Sequence, residues 1–119
     1  MIFESQFFVA AVFSCRHKVV ISVNAEMPGV VEQIILYGSY ARGDYSPESD
    51  LDIMLLMNCS HGDVKNFQNV VCKIASRIGL EDDIEVSLTM QDKETFEKRL
   101  AILPFYRNVK REGVTLYES

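Results

Sequence analysis

Two apolar runs joined by a glycine–serine pair and a polar loop constrain the fold of this 119-residue chain more than any other feature. Residues 30–37 form the first run and residues 51–57 the second, and each has the length and composition of a buried β-strand. Gly38 and Ser39 follow the first run directly, and Pro47 lies in the polar stretch that separates the two runs. The pattern predicts a strand, a tight turn into a short helix, a loop and a second strand in the centre of a sheet.

Two carboxylates, Asp50 and Asp52, stand where the second apolar run begins. Because residues two apart on a strand point to the same face, we expect these side chains to lie side by side. Such a pair is costly, since each charge loses water and repels the other. A divalent cation removes both costs, and Mg²⁺ binds one or two carboxylates while keeping positions for water and phosphate oxygens. The sequence therefore predicts that Asp50 and Asp52 are metal ligands.

The turn at Gly38 and Ser39 precedes a short predicted helix over residues 40–42. The start of a helix offers free backbone N–H groups, and these bind phosphate. Opposite a carboxylate pair, the turn predicts a site for the phosphates of a nucleotide. Arg42 lies three residues beyond Ser39, so it could either steady the triphosphate or pair with Asp44, and the sequence leaves both roles open.

A third carboxylate, Glu85, is the candidate that would complete the metal site. It lies between Ile84 and Val86 in a predicted strand over residues 83–90. If this strand lies beside that of the aspartates, Glu85 would form a three-carboxylate cluster able to hold two metal ions. Asp83 has the same parity along the strand and is the alternative third ligand. An exposed face of an edge strand would make both of them ordinary surface residues.

The other elements follow from hydrophobic periodicity and from the glycines and prolines that interrupt it. We expect helices over 3–26 (ended by Pro28 and Gly29), from Asp63 to about Arg77 (ended by Gly79), over 91–100 and over 105–112, and a last strand over 114–117. The order predicts an α/β (α+β) fold, a small mixed β-sheet flanked by helices. With no linker in the sequence, we expect one domain over 1–119, with an N-terminal helix in 1–29 and a motif-bearing core in 30–119.

Composition and charge exclude several classes of protein. A net charge of −5 argues against direct binding to DNA or RNA, whose phosphates require a basic face. No segment reaches the roughly 20 apolar residues that a membrane span needs, so no membrane association is expected. The three cysteines are widely spaced, which disfavours disulfides and zinc and favours a reducing cytoplasm.

The remaining candidates are weaker. The apolar N-terminus lacks a basic region, so we interpret it as a buried helix or a partner-facing surface rather than a targeting segment. Its aromatic residues Phe3, Phe7 and Phe8 could form an interface, which is the less favoured interpretation. His17 and His61 have no plausible partner in the sequence, and no role is predicted for either.

The central motif resembles that of a known family. Gly38 and Ser39, ten further residues, then Asp50-x-Asp52, with Ala-Arg-Gly at residues 41–43, is similar to the motif of the minimal nucleotidyltransferases (MNT) of the DNA polymerase β-like superfamily. The ending Arg-Glu-Gly-Val-Thr-Leu-Tyr-Glu also resembles the ending common in that group. The resemblance extends from about residue 30 to the end of the sequence.

The resemblance implies a polymerase β-like nucleotidyltransferase fold and a role for each matching residue. Gly38 and Ser39 correspond to the phosphate-binding turn, and Asp50 and Asp52 to the two metal-binding aspartates. Glu85 falls where the family carries a third carboxylate, which is usually aspartate. The implied cofactor is Mg²⁺, with two ions expected, and the implied substrate is ATP.

The resemblance also implies a biological role. Many small MNT proteins are similar to antitoxins that transfer AMP from ATP to a tyrosine hydroxyl of a HEPN-type ribonuclease toxin. A HEPN-type toxin is therefore the expected partner, in a homo- or hetero-oligomer. Two alternatives remain open: a non-catalytic module that neutralises its partner sterically, and a small-molecule nucleotidyltransferase whose acceptor pocket forms across a homodimer.

Overall fold

The computed structural model describes residues 6–119, with side chains from Val9 onward. The predicted start of the first helix and the interface suggested for Phe3, Phe7 and Phe8 therefore lie outside the residues or side chains described. In chain order the elements are α1 Gln6–Glu26, β1 Val31–Tyr37, α2 Ser39–Arg42, β2 Leu51–Met57, a 3-10 helix His61–Phe67, α3 Gln68–Asp82, β3 Val86–Asp92, α4 Lys93–Leu100, α5 Pro104–Glu112 and β4 Val114–Glu118.

The four strands form one mixed sheet in the order β3-β2-β1-β4. Strand β1 is antiparallel to both β2 and β4, whereas β2 and β3 are parallel. A parallel pair needs a long crossover connection, which the 3-10 helix and α3 supply. The predicted small mixed sheet flanked by helices is confirmed, and β2 occupies the predicted residues 51–57 in the interior of the sheet.

Helices cover the sheet on both faces, because side chains along β2 alternate between two separate apolar clusters. One cluster packs β1 and β2 against α1 and α3 and includes Cys15, Val19, Ile34, Leu51, Ile53, Leu55, Val71, Ile74 and Ile78. The other packs the opposite face against α4 and α5 and includes Ile35, Met54, Leu56, Phe96, Tyr106 and Val109. By the same alternation, Asp52 lies on the face that α4 and α5 cover, whereas Asp50 precedes the strand.

Helix α3 extends further than the sequence predicts, and the strand after it starts later. Gly79 does not end the helix; it lies inside α3, where a Cβ atom would come within 3.0 Å of the Ile84 carbonyl oxygen, so the position requires close backbone packing. The helix ends at Asp82, and Asp83 takes a left-handed conformation with φ of 54° as its C-cap. The predicted strand over 83–90 is therefore wrong at its start, since β3 begins at Val86.

The connection before α3 also differs from the prediction. Asp63 does not cap a long helix; it lies in the first turn of the 3-10 helix, whose cap residue is Ser60. The prediction that His61 has no partner is wrong, because its Nδ1 lies 2.9 Å from Oδ1 of Asp92. Asp92 caps α4 as its Oδ2 accepts a hydrogen bond from the Thr95 backbone N–H at 2.9 Å. The predicted helix over 91–100 therefore starts two residues too early, because Gln91 and Asp92 still belong to β3.

Across residues 6–119, none of the helices combines the length and the apolar character that spanning a bilayer requires.

Candidate active site

The second aspartate of the motif occupies a position fixed by the central strands. Asp52 on β2 pairs with Tyr37 on β1 and with Ser87 on β3. A residue flanked on both sides by paired strands has little freedom to move, because both neighbours are held by the sheet's hydrogen bonds. Asp50 precedes β2 and is exposed. The sheet therefore fixes one carboxylate and leaves the other accessible to solvent.

Gly38 is the residue that lets the turn approach Asp52. Its backbone, with φ of 77° and ψ of −157°, lies in a region that is essentially restricted to glycine. A Cβ atom added at Gly38 would lie 2.5 Å from Oδ2 of Asp52, closer than atoms in contact can come. Two features therefore require glycine at this position: its backbone conformation and the carboxylate beside it.

The turn continues into α2, a single helical turn over Ser39–Arg42. The Gly38 carbonyl oxygen accepts hydrogen bonds from the backbone N–H groups of Ala41 and Arg42, both at 3.1 Å. Gly43, with φ of 89°, ends the helix by donating its N–H to the Ser39 carbonyl oxygen at 2.9 Å, as predicted. The first N–H groups of a helix have no partner within the helix, and Gly38 has no side chain to accept from them. They are the groups that a phosphate would use.

An open cleft of ≈ 390 Å³ brings Gly38, Ser39, Arg42 and Asp52 together, whereas Asp50 is not among its lining residues. One wall comes from the motif and β1 and consists of Tyr37, Gly38, Ser39, Arg42 and Asp52. The other wall comes from α5 and consists of Phe105, Asn108, Val109 and Glu112. Of this wall, only Glu112 belongs to the ending that resembles the family; the other residues become neighbours of the motif only through tertiary packing.

Two aromatic rings also meet in the cleft. The ring of Phe105 meets that of Tyr37 edge to face, with ring centres 5.7 Å apart. The Tyr37 hydroxyl lies 3.2 Å from the Thr89 hydroxyl, and a hydrogen bond between them restrains the Tyr37 ring. Burial is the largest cause that raises the pKa of Tyr37, so its hydroxyl stays protonated at neutral pH. The cleft thus combines the Asp52 carboxylate on one wall with the apolar ring of Phe105 on the other.

Electrostatics at Asp52 favour a cation. Burial raises the pKa of Asp52 above its usual value, the nearby Asp50 carboxylate raises it further, and Arg42 lowers it. Both raising causes are penalties on the charged carboxylate, and a bound cation would remove them. Arg42 is engaged in part elsewhere: its Nε donates to Oδ2 of Asp44 at 3.2 Å, and its Nη1 lies 3.9 Å from Oε1 of Glu112. The pairing with Asp44 left open by the sequence is present, and Arg42 still lines the cleft.

Glu85 lies apart from this cleft. Its carbonyl oxygen accepts a hydrogen bond from the Leu51 backbone N–H at 2.8 Å, and β3 runs beside the aspartate strand, which was the condition for the cluster. Its exposed side chain, together with Asp83, lines a different groove at the end of α3. Over the part of the chain that the structure describes, no three His, Cys, Asp or Glu side chains form a group that could hold a metal ion. The expected three-carboxylate cluster is therefore not assembled, because Glu85 precedes β3 and Ser87 stands beside Asp52.

The residues present fit one Mg²⁺ together with a bound nucleotide. Asp50 lies near enough to Asp52 to raise its pKa, and two neighbouring carboxylates are a donor set that Mg²⁺ uses when phosphate oxygens and water complete its coordination. The close approach of Gly38 to Asp52 places the glycine–serine turn against one of these donors. Metal binding by Asp50, Asp52 and Glu85 remains a prediction.

Comparison with known proteins defines the class. The sequence model of the family described as "Nucleotidyltransferase domain" matches residues 18–112 of this chain. The chain therefore belongs to the nucleotidyltransferase domain family, as the motif resemblance implied. The matched span contains both walls of the cleft, so the family and the geometry refer to the same site.

Individual relatives narrow the comparison. The chain is 36% identical over 96 residues to MJ0604 of Methanocaldococcus jannaschii, named as a candidate protein adenylyltransferase, and the match covers 81% of this chain and 88% of that protein. The fold is similar to a toxin–antitoxin structure with AMP-PNP (TM-score 0.54, 17% identity, 87% of this chain and 73% of that one). It is also similar to a structure of a tri-AMPylated Shewanella oneidensis HEPN toxin in complex with MNT antitoxin (TM-score 0.54, 16% identity, 91% and 73%). At these identities the two structures show a shared fold.

Proposed function

We propose that this chain is a Mg²⁺-dependent protein adenylyltransferase that transfers AMP from ATP to a tyrosine hydroxyl of a HEPN-type toxin and thereby acts as its antitoxin. The observation that carries the proposal is the contact of the Gly38 turn with the Asp52 carboxylate inside one open cleft. The name of the relative MJ0604 and the MNT antitoxin fold support the protein acceptor, and the AMP-PNP complex of a structural neighbour supports ATP.

The reaction assigns a role to each part of the cleft. The acceptor oxygen attacks the α-phosphorus of ATP, a bond forms between that oxygen and phosphorus, and the bond to the β-phosphate oxygen breaks. Pyrophosphate leaves with the bonding electrons, and the hydroxyl proton passes to solvent. The backbone at Gly38 and Ser39 holds the β- and γ-phosphates, and Arg42 adds positive charge beside them. Asp50 and Asp52 would hold Mg²⁺, with Glu85 as a third candidate ligand.

Catalysis in this site is mainly positioning and neutralisation of charge. Mg²⁺, when bound, supplies the charge that offsets the phosphates and eases ionisation of the acceptor hydroxyl. The chain's own residues keep ATP in one orientation: the turn at Gly38 fixes the phosphate end, and the exposed ring of Phe105 on the α5 wall offers an apolar surface for the base. The open side of the cleft is left for the acceptor.

The test is label transfer from ATP carrying its label on the α-phosphate, with Mg²⁺ and the HEPN-type protein of the same genome as acceptor. We expect a labelled acceptor with wild type and a loss on the order of 10²–10³-fold with Asp50→Asn or Asp52→Asn. Asp63→Asn, at an exposed aspartate of the 3-10 helix, is the matched control and should retain activity. ATP labelled on the γ-phosphate should leave the acceptor unlabelled. Full activity of Asp52→Asn, or transfer of the γ-label, would refute the proposal.

A second candidate is a module that neutralises the toxin by covering it, with no transfer. The separation of Glu85 from the aspartates favours this candidate, because two-ion chemistry needs a third ligand. The two functions differ in one result. A steric inhibitor would still suppress the ribonuclease activity of the toxin after both aspartates are replaced, without ATP, whereas a transferase would lose that suppression.

A further inference from the structure

An exposed apolar surface lies at the turn between α4 and α5. We call it the α4–α5 corner and define it as Ile102, Leu103 and Phe105, which are 71%, 40% and 48% exposed. It is not an incomplete part of the core, because the inward-facing residues of the same helices, Phe96 and Tyr106, are buried. Three large apolar side chains within four positions form a patch of the kind that marks an interaction site.

The corner is held in one conformation. Backbone N–H groups of Ile102 and Leu103 donate to the Arg99 carbonyl oxygen at 3.2 and 2.9 Å. The guanidinium of Arg107 lies 3.5 Å from the Leu100 carbonyl oxygen and 3.4 Å from that of the next residue, which ties α5 to the end of α4. A preformed apolar surface loses little conformational entropy when it binds, so more of the contact energy is available for affinity.

The corner is continuous with the cleft. Phe105 belongs to both: it lines the cleft opposite Asp52 and contributes an exposed edge to the corner. Any molecule that presents a hydroxyl to the α-phosphate must approach through the open side of the cleft, which α5 borders. A protein seated on Ile102 and Leu103 would therefore already lie at the entrance through which its hydroxyl has to pass.

Charge indicates the chemistry of that protein. The whole chain is acidic, with 17 acidic and 12 basic residues, yet half of its lysines and arginines lie on α4 and α5. The exposed ones are Lys98, Arg107, Lys110 and Arg111. Against these six basic residues the two helices carry three acidic ones, Glu94, Glu97 and Glu112, so they have a net charge of +3 on an acidic chain. This charge fits a partner surface of the opposite sign, because like charges across an interface are strongly unfavourable.

We propose that the α4–α5 corner is the docking surface for the protein acceptor, which presents an apolar patch rimmed by carboxylates. The proposal rests on the proposed function and adds to it the place where the acceptor is held. It also explains how a domain of this size can act on a large acceptor: the corner supplies affinity and the cleft supplies chemistry.

The test compares two matched charge insertions in the full chain. Ile102→Asp places a carboxylate in the corner, and Leu80→Asp places one at an equally exposed leucine on α3, 85% exposed and outside the cleft. Binding of the HEPN-type protein of the same genome is measured by calorimetry without ATP. We expect Ile102→Asp to weaken binding at least about tenfold and Leu80→Asp to leave it within about twofold, since central contacts dominate interface energies. Far-ultraviolet circular dichroism and urea unfolding confirm that both variants fold.

A second pair tests the charge argument. Lys110→Glu reverses a charge on α5, and Lys73→Glu reverses one on the exposed side of α3. We expect only Lys110→Glu to weaken binding, by a few-fold, and to make it less sensitive to salt, because screening acts on the charge pairs that the lysine makes. Equal effects of the two reversals would overturn the assigned partner chemistry.

The outcomes separate this proposal from the proposed function. AMP transfer is measured in parallel to the HEPN-type protein and to N-acetyl-tyrosine amide, a small acceptor that needs no docking surface. Loss of transfer by Ile102→Asp to the protein alone supports the corner. Unchanged protein binding by Ile102→Asp overturns it even if transfer occurs. A wild-type homodimer that Ile102→Asp dissociates, or the absence of any wild-type complex, overturns it as well. Binding without transfer by wild type overturns the proposed function and leaves the corner supported by its own variants.

Discussion

The close approach of Gly38 to Asp52 gives the most specific prediction, which concerns the substitution Gly38→Ala. The substitution adds one methyl group at a position where it would lie 2.5 Å from Oδ2 of Asp52. It also forces an alanine into a backbone conformation with φ of 77° and ψ of −157°. Gly43→Ala is the matched control, because Gly43 also has a positive φ, 89°, but a Cβ there would have no heavy atom within 4 Å.

The magnitude follows from these two costs. Strained backbone at a residue other than glycine costs about 1–3 kcal/mol, and turning the Asp52 carboxylate away from a favoured rotamer costs about 0.5–1.5 kcal/mol. We therefore expect Gly38→Ala to lower the free energy of unfolding by about 2–4 kcal/mol and Gly43→Ala by about 1–2 kcal/mol. A domain stable by roughly 5–15 kcal/mol would remain folded in both cases.

Urea unfolding followed by circular dichroism measures the stability change. With a slope of roughly 2 kcal/mol per molar urea, the midpoint should fall by about 1–2 M for Gly38→Ala and by about 0.5–1 M for Gly43→Ala. AMP transfer should fall on the order of tenfold or more only for Gly38→Ala, because a displaced Asp52 no longer meets the phosphates.

A double-mutant cycle isolates the contact itself. Asp52→Ala removes the atom that the new methyl group meets, so Gly38→Ala should cost less stability in that background than in wild type, by about 0.5–1.5 kcal/mol. Equal costs in the two backgrounds, or equal losses of activity for Gly38→Ala and Gly43→Ala, would show that the close approach to Asp52 does not matter.

Three further predictions concern titration and the third ligand. Asp52→Asn should raise stability at neutral pH: the pKa of Asp52 is raised in the folded protein, so its charged form costs stability, and the gain over wild type in urea midpoint should vanish as pH falls below about 4. Asp92→Asn should instead lower stability at neutral pH. Burial alone would raise the pKa of Asp92, but hydrogen bonds from His61 and its other partners lower it overall. The charged carboxylate therefore stabilises the folded protein at pH values above the unfolded pKa. That contribution, roughly 1–2 kcal/mol at pH 7, should be lost as pH falls, and a pH-independent difference would contradict it. Glu85→Gln should raise the Mg²⁺ concentration needed for half-maximal transfer if nucleotide binding draws it toward the aspartates, whereas Asp83→Asn should not; equal responses would remove Glu85 from the ligand set.

The elements predicted correctly are those whose ends are set by residues close to them in sequence. Strand β2 was placed at its observed ends because it is apolar on both faces, and α2 was placed to within one residue because Gly38 and Gly43 are required by its geometry. The helix predicted over 91–100 matches α4 to within two residues, because the cap that starts it acts on the next few positions.

The errors arose where distant packing decides the outcome. Gly79 resembles a helix end in sequence, but in the structure it is the small residue that lets the Ile84 backbone pack against α3. That extension of α3 delays β3 and leaves Glu85 before the strand instead of within it. The α5 wall of the cleft and the pairing of His61 with Asp92 depend on contacts across 31 or more positions, which periodicity cannot report.

The two walls of the cleft are formed by residues far apart in sequence, so one wall is synthesised well before the other. Asp52 and the turn at Gly38 leave the ribosome about sixty residues before Phe105 and the rest of α5, and β4, which pairs with β1 and follows α5, comes later still. At synthesis rates of roughly 5–20 residues per second, that separation is about 3–12 s. During that interval the nascent chain has its aspartates but no second wall. The cleft cannot have both of its walls until α5 has been synthesised, so the timing of translation itself delays completion of the site.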